Sequence, residues 1–347
     1  MLILGIETSC DDTGISLLQI TNYELRVLSN VVSSQVKLHA KYGGVYPFLA
    51  KREHKKNLPI ALKKATRGVN LSKINLIGVT VGPGLEPCLW EGVNFAKNLA
   101  ERLKKPLVPV NHLEAHILVN FVGEIRNSKY EIRNLFPAVC LVVSGGHTIL
   151  FLMEKIGKYK LIGETRDDAA GECFDKVARL LGIGYPGGPA IAKLANYELR
   201  IANYGIKLPR PMIYQKNYDF SFAGLKTAVL YDFKSRSKKE RESKEYKVEM
   251  AKEIQQAIID VLIFKTLKAA REFKINSVIL GGGVVANEEL RRQFKFRIQN
   301  SEFRIQFFVP PKNCCTDNAL MVALAAFFNR KKIKKPEEIK AEANLKI

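Results

Sequence analysis

The sequence predicts an α/β protein built from two related lobes with a cleft between them, and three observations carry that prediction. A strand, a polar tip and a returning strand occur twice, at residues 2–6, 7–14 and 15–20 and again at residues 139–143, 144–148 and 149–153. A strand that runs into a glycine turn and then an apolar-periodic helix also occurs twice. The first copy is residues 77–81, then Gly82-Pro83-Gly84 and a helix to about Leu103; the second is residues 278–280, then Gly281-Gly282-Gly283 and a helix from about Asn287. Both halves hold these pieces in the same order, which is the trace of an internal duplication.

Spacing shows where the halves differ. The polar tips begin at Ser9 and Ser144, 135 residues apart, whereas the glycine turns begin at Gly82 and Gly281, 199 apart. The second half therefore holds about 64 extra residues, expected within 163–247. The expected organisation is an N-terminal lobe of residues 1–115 plus about 316–330, a C-terminal lobe of 116–315 with an insertion around 163–247, and a basic tail at 331–347.

Composition sets the class. At 347 residues, 47% hydrophobic and 26% charged, the chain can bury a full core, which excludes global disorder. No apolar run approaches the ~20 residues that span a bilayer, and no basic-then-apolar leader precedes the first strand. Six cysteines without a Cys-x-x-Cys pair argue against a disulfide framework and a cysteine zinc site. A reduced, cytoplasmic chain is expected. The net charge of +21 favours a polyanionic partner such as nucleic acid. Residues 234–247 concentrate seven basic and three acidic residues and read as an exposed loop or frayed helix; residues 330–347 carry the same excess.

Several stretches bear on chemistry. The tip Ser144-Gly145-Gly146-His147-Thr148 suits a phosphate-contacting turn, or a hairpin that needs glycine for its geometry. The first tip carries two adjacent carboxylates, Asp11 and Asp12. The turn Gly281-Gly282-Gly283 before a helix favours phosphate, and Asn287 either caps that helix or meets a nucleotide. His112 and His116 share one helical face at i and i+4, a metal-binding spacing that a surface coincidence would also produce. Their third ligand must come from elsewhere, with residues 314–318 a candidate source. Asp167 or Asp168 is expected to cap a helix whose apolar face is Ala170, Phe174, Val177 and Leu181, and Tyr185-Pro186-Gly187-Gly188-Pro189 reads as a rigid turn.

Eight motifs then fall in order: Gly5-Ile6-Glu7-Thr8-Ser9-Cys10-Asp11, Asn111-His112-Leu113-Glu114-Ala115-His116, Val143-Ser144-Gly145-Gly146-His147-Thr148, Asp168-Ala169-Ala170-Gly171-Glu172, Tyr185-Pro186-Gly187-Gly188-Pro189, Phe220-Ser221-Phe222-Ala223-Gly224-Leu225-Lys226, Gly281-Gly282-Gly283 and Thr316-Asp317-Asn318. Together, over residues 1 to about 328, they resemble the TsaD family of tRNA adenosine threonylcarbamoyltransferases. The resemblance implies two ribonuclease-H-like lobes of the actin/Hsp70/sugar kinase superfamily around a central nucleotide cleft. It implies transfer of a threonylcarbamoyl group from threonylcarbamoyl-AMP to N6 of adenosine 37 in tRNAs reading codons that begin with A. By motif, His112, His116 and Asp317 would ligate one divalent metal per subunit, iron in the family with zinc or magnesium in related members. Val142, Val143, Ser144, Gly145, Gly146, Asp175, Gly188 and Asn287 would hold the adenylate, and Asp11 would sit near the transfer centre. The implied partners are tRNA, a TsaB-like paralogue and a TsaE-like ATPase, with no membrane. An ATP-dependent kinase or ATPase of the same fold is the alternative, since phosphate-binding turns serve either. The chain departs from the family pattern at Phe48, Lys51 and Ala192, at Asp12, and in the segments 124–134 and 234–247 that look inserted or lengthened.

Overall fold

Two five-stranded mixed sheets organise the chain, one in each of two compact units: Met1–Asn134 with Pro310–Ile347, and Leu135–Val309. The coordinates are a computed structural model and describe residues 1–21, 24–122, 132–198, 204–302 and 304–347, apart from the side chains of Ile132 and Arg133. Of the segment 124–134 that reads as inserted, residues 124–131 lie outside the described residues.

In the first unit the strands are β1 (Leu2–Glu7), β2 (Asp12–Ile20), β3 (Leu25–Ser34), β4 (Leu76–Gly82) and β5 (Leu107–Asn111), in the order β3-β2-β1-β4-β5. β2 runs antiparallel to β1 and β3, while β4 is parallel to β1 and β5. The second unit repeats this with β6 (Ala138–Val143), β7 (Thr148–Lys155), β8 (Lys158–Glu164), β9 (Ser277–Gly281) and β10 (Gln306–Phe308). Its order is β8-β7-β6-β9-β10, with the same pattern of antiparallel and parallel neighbours. One order and one set of directions, found twice, is the duplication that the sequence predicts. β1, β4, β6 and β9 are buried along their whole length, as continuous apolar runs require when both faces of a strand are covered.

Helices α1 (Val36–His39), α2 (Pro47–Ala65), α3 (Glu86–Leu103) and α4 (His112–Leu118) belong to the first unit. Helices α5 (Ala170–Leu181), α6 (Gly187–Ala195), α7 (Ala223–Ser235), α8 (Lys238–Glu242), α9 (Lys244–Glu272) and α10 (Glu288–Gln299) belong to the second. The chain then returns to the first unit for α11 (Ala319–Phe328), which lies directly on that unit's sheet. Glycines on three adjacent strands admit it. A Cβ on Gly5 would stand 2.2 Å from the Ala319 carbonyl oxygen, and one on Gly78 would stand 2.5 Å from the Ala326 Cβ. On Gly14 it would stand 2.9 Å from the Ala319 nitrogen. Small residues on both sides let helix and sheet approach closely, and this fixes where Asp317, two residues before α11, must sit.

Several details differ from the sequence reading. The units divide at 134/135 and 309/310, whereas the sequence reading places the boundaries at 115/116 and 315/316. All seven residues of α4 are buried, as are Val119, Asn120 and Phe121 after it, so the chain stays in the first unit beyond His116. The basic tail is docked on that unit: Ile339 is buried, Glu342 donates its N–H to the Val81 carbonyl at 2.7 Å, and Gly84 donates to Ala343 at 3.1 Å. Residues 234–247 bear out the helical side of the sequence reading, with breaks at Arg236-Ser237 and at Ser243: Ser237 and Glu240 form a capping box on α8 and Ser243 caps α9. Tyr246 anchors the segment in the core. Gly187 and Gly188 open α6 after Pro186, so the Pro-Gly-Gly-Pro stretch starts a helix where a turn is expected. Among the described residues, no helix is long and apolar enough to cross a membrane.

Candidate metal centre and phosphate-binding turns

Asn111 ends β5 and caps α4: its side-chain oxygen accepts the N–H groups of Leu113 at 2.9 Å and Glu114 at 3.2 Å. The cap makes His112 the first helical residue and places His116 one turn later on the same face. Their rings meet edge to face, with centroids 4.6 Å apart. The structure brings Asp317 to them. His116 Nε2 lies 3.1 Å and His112 Nε2 3.5 Å from the same Asp317 Oδ1, so two imidazole nitrogens converge on one carboxylate oxygen. The three donor atoms lie within 4.8 Å of one another.

This set fits a divalent cation. Two imidazoles and one carboxylate on converging vectors are the donors that zinc and non-haem iron use. The surroundings also favour positive charge. Burial alone would push His112 down, but the charges of Asp317 and Glu7 outweigh it and raise its pKa to about 9. Burial opposes ionisation of Asp317 too, yet His112 and His116 hold its carboxyl below the usual carboxylate range. The charges that retain a proton on His112 would equally retain a cation. His116 Nδ1 is buried and finds no hydrogen-bond partner among the described residues.

The first polar tip lies against this group. Ser9 Oγ is 3.2 Å from His112 Nδ1 and 3.5 Å from Asp317 Oδ2. Asp11, two residues on, has its carboxyl raised by burial, with the Asp317 charge adding to the effect. The tip is held by a histidine that the sequence reading passes over. His54, fully buried on α2, lies 2.9 Å from the Cys10 carbonyl through Nε2 and 2.8 Å from the Thr13 hydroxyl through Nδ1. Because a carbonyl only accepts, Nε2 carries the proton and Nδ1 accepts from Thr13.

Two departures from the family pattern also fall in this unit, on α2. Phe48 is 69% exposed, and Lys51 reaches Glu91 on α3 at 3.8 Å. Among the described residues, neither forms a hydrogen bond or ion pair with the His-His-Asp group.

In the second unit, the tip between β6 and β7 holds Ser144, Gly145 and Gly146, directly after Val142 and Val143. Two glycines let backbone press against it. A Cβ on Gly171 would stand 2.5 Å from the Ser144 carbonyl oxygen, and one on Gly282, where φ is +93°, would stand 2.3 Å from that of Val143. Gly145, Gly146 and Gly188 face open space, the room a phosphate needs. Asp175, one turn after Gly171 on α5, accepts the Gly187 N–H at 2.6 Å and so anchors the start of α6 beside Gly188. Val142 pairs with Gly281, which sets the triple-glycine turn beside the tip. Asn287 caps α10 through its oxygen to Leu290 N and gives its amide to Gln255 Oε1 at 2.8 Å. The residues expected at the adenylate thus gather within one unit, and Asp11 and the three metal candidates gather within the other. Ala192 lies on α6, four residues beyond Gly188.

The capping expectation for Asp167 and Asp168 needs correction. The residue before α5 is Ala169, with no side-chain cap. Asp167 accepts the N–H groups of Phe222 at 2.7 Å and Ala223 at 3.2 Å, capping α7 from a distance, while Asp168 pairs with Lys176 at 2.6 Å.

The family model TsaD, tRNA N6-adenosine threonylcarbamoyltransferase, matches residues 26–324. The chain is 44% identical to the tRNA N6-adenosine threonylcarbamoyltransferase of Thermosipho africanus over the full length of both proteins. It is 45% identical to that of Persephonella marina over 94% of this chain and 90% of the relative. Among solved structures it is similar to HypF from T. kodakarensis, at a TM-score of 0.58 and 14% identity over 95% of this chain and 47% of that one. The chain therefore spans about half the length of HypF. It is also similar to the activator of 2-hydroxyisocaproyl-CoA dehydratase from Clostridium difficile, at a TM-score of 0.51 and 14% identity over the whole of both chains. These structural likenesses speak for the two-unit α/β fold alone. End-to-end identity of this degree, together with the matching family model, places the chain in the TsaD family of tRNA N6-adenosine threonylcarbamoyltransferases.

Proposed function

We propose that this chain forms threonylcarbamoyl-adenosine at position 37 of tRNAs that read codons beginning with A, taking the group from threonylcarbamoyl-AMP. The observation that carries the reading is the convergence of His112 and His116 on Asp317, in a chain that matches transferases of that name from end to end. His112, His116 and Asp317 hold a divalent ion, for which we favour Fe2+ over Zn2+ or Mg2+. When bound, that ion would supply positive charge to oxygens on which negative charge builds during the transfer.

The residues of the chain do the rest. Val142, Val143, Ser144, Gly145 and Gly146, with the triple-glycine turn, receive the adenylate phosphate, because backbone N–H groups and open glycine faces suit an anion. Asp175 keeps Gly187 and Gly188 in place beside the adenylate. Asn287, whose amide is already committed to Gln255, offers a remaining lone pair on its oxygen. The N6 nitrogen attacks the carbamoyl carbon, the bond from that carbon to the phosphate oxygen breaks, AMP leaves, and the N6 proton passes to Asp11. Burial favours the protonated form of Asp11, which suits it to that last role. A TsaB-like paralogue and a TsaE-like ATPase assist the cycle, and the setting is the cytoplasm. A kinase or ATPase reading finds no support in the names of the relatives.

The test is reconstitution. The chain is combined with its two partners, threonylcarbamoyl-AMP and an unmodified tRNA, and nucleosides are quantified by mass spectrometry. Wild type yields the modified adenosine, and Asp317→Ala loses at least about 100-fold in rate while remaining folded. Unmodified tRNA with the wild-type protein, under conditions where a known transferase succeeds, would refute the proposal.

A further inference from the structure

Glu7 is a carboxylate at the end of a fully buried strand, with 0% of its surface exposed. An ionised carboxylate in such a place costs several kcal/mol unless its oxygens are satisfied. Here they are. Oε1 accepts the Ser9 N–H at 2.6 Å, and Oε2 accepts the Thr80 hydroxyl at 2.7 Å from the neighbouring strand β4. The same Oε2 lies 3.3 Å from His112 Nδ1. His112 therefore presents Nδ1 to Glu7 and Nε2 to Asp317.

Two facts make Glu7 a guide and not a ligand. Its oxygens are occupied by three donors, and it stands outside the group whose donor atoms lie within 4.8 Å of one another. A carboxylate in its charged form can only accept, so the proton facing Glu7 sits on Nδ1, and Nε2 is the nitrogen left to bind a cation once the cation replaces the proton otherwise directed at Asp317. The Ser9 hydroxyl, the other group facing Nδ1, donates to Asp317 Oδ2 and can take the Nδ1 proton only as an acceptor, so it enforces the same tautomer.

We infer that Glu7 is a positioning residue for the cation site: by accepting the His112 Nδ1 proton it fixes the tautomer and aims Nε2 at the place where Asp317 and His116 converge. Thr80 is its support, donating its hydroxyl to the carboxylate from β4. The inference rests on the reading of His112, His116 and Asp317 as metal ligands. His116, whose Nδ1 has no such partner among the described residues, depends on its own packing for orientation.

The experiment titrates Zn2+ alone into the full-length, metal-stripped protein in competition with a chelating dye, for wild type, Glu7→Gln, Thr80→Val and Asp317→Ala. Outer carboxylates of this kind contribute about 10- to 100-fold in metal affinity, so Glu7→Gln is expected to weaken Zn2+ binding by that factor and Thr80→Val by a smaller one. A second readout separates orientation from mere support of the fold. In the zinc-loaded, 15N-labelled wild type, the His112 Nδ1 proton gives a downfield, slowly exchanging signal; in Glu7→Gln it shifts upfield and exchanges faster. Should Glu7→Gln fail to fold, Thr80→Val decides by both measurements. Wild-type affinity within twofold and an unchanged Nδ1 signal in the variants would overturn the inference while leaving the metal reading intact. If wild type binds Zn2+ no better than Asp317→Ala, the metal reading falls and the inference with it.

Discussion

At the scale of single residues, burial decides which charged groups matter. Lys265 on α9 is fully buried and gives its ammonium to the Asn217 carbonyl at 2.8 Å. Burial and the nearby Lys268 charge lower its pKa from 10.5 to about 8. The folded state thus releases this proton more readily than the unfolded chain does. The resulting penalty on stability is fully present below about pH 8 and is relieved as pH rises toward 10.5. Thermal melts of wild type and Lys265→Met across that window are expected to show wild type gaining stability relative to the variant with rising pH. A constant difference would contradict the assignment. His112 shows the opposite balance, since two carboxylates outweigh its burial, and the contrast follows from what faces each group.

At the scale of elements, the metal candidates depend on one close contact between helix and sheet. α11 reaches β1 only because Gly5 has no side chain, and Asp317 lies just before that helix. Gly5→Ala is expected to destabilise the protein by about 1–3 kcal/mol, as overpacking of a tight interface does. It should also weaken divalent metal binding, because moving α11 moves Asp317; calorimetry and metal titration of the variant check the two effects separately.

The repeated hairpins and glycine turns were legible from sequence because they rest on local pattern: apolar alternation, turn residues and helix periodicity. The paired histidines were legible for the same reason, since i and i+4 share a helical face. Their third ligand was not. The residues alone offered only 314–318 as a candidate source, and the family resemblance singled out Asp317. Glu7, Thr80 and His54 were missed altogether. Glu7 meets Thr80 across 73 positions of sequence through the parallel register of β1 and β4, and His54 meets Thr13 across 41. The signal available is a carboxylate ending a wholly apolar strand, which local pattern alone assigns to the start of a turn. Asp167 misled for a similar reason: it stands near α5 in sequence but caps α7 across 55 positions.

At the scale of the whole molecule, charge is the dominant feature. The excess of +21 is displayed on surfaces such as the outer side of α2, where Lys51, Arg52, Lys55, Lys56, Lys63 and Lys64 are exposed. Binding of tRNA should therefore weaken steeply with salt; if six or more phosphates are engaged, affinity falls by about 10³ between roughly 50 and 200 mM. Filter binding across that range measures the slope, and a flat response would mean that the charge serves something else.

The central claim is that His112, His116 and Asp317 hold a metal on which transfer to tRNA depends. Removing the metal with a chelator, assaying modified adenosine, and adding Fe2+ or Zn2+ back tests it most directly. The account predicts that product formation disappears on stripping, returns on re-addition in wild type, and does not return in His116→Ala. Undiminished product from thoroughly metal-free protein would contradict it.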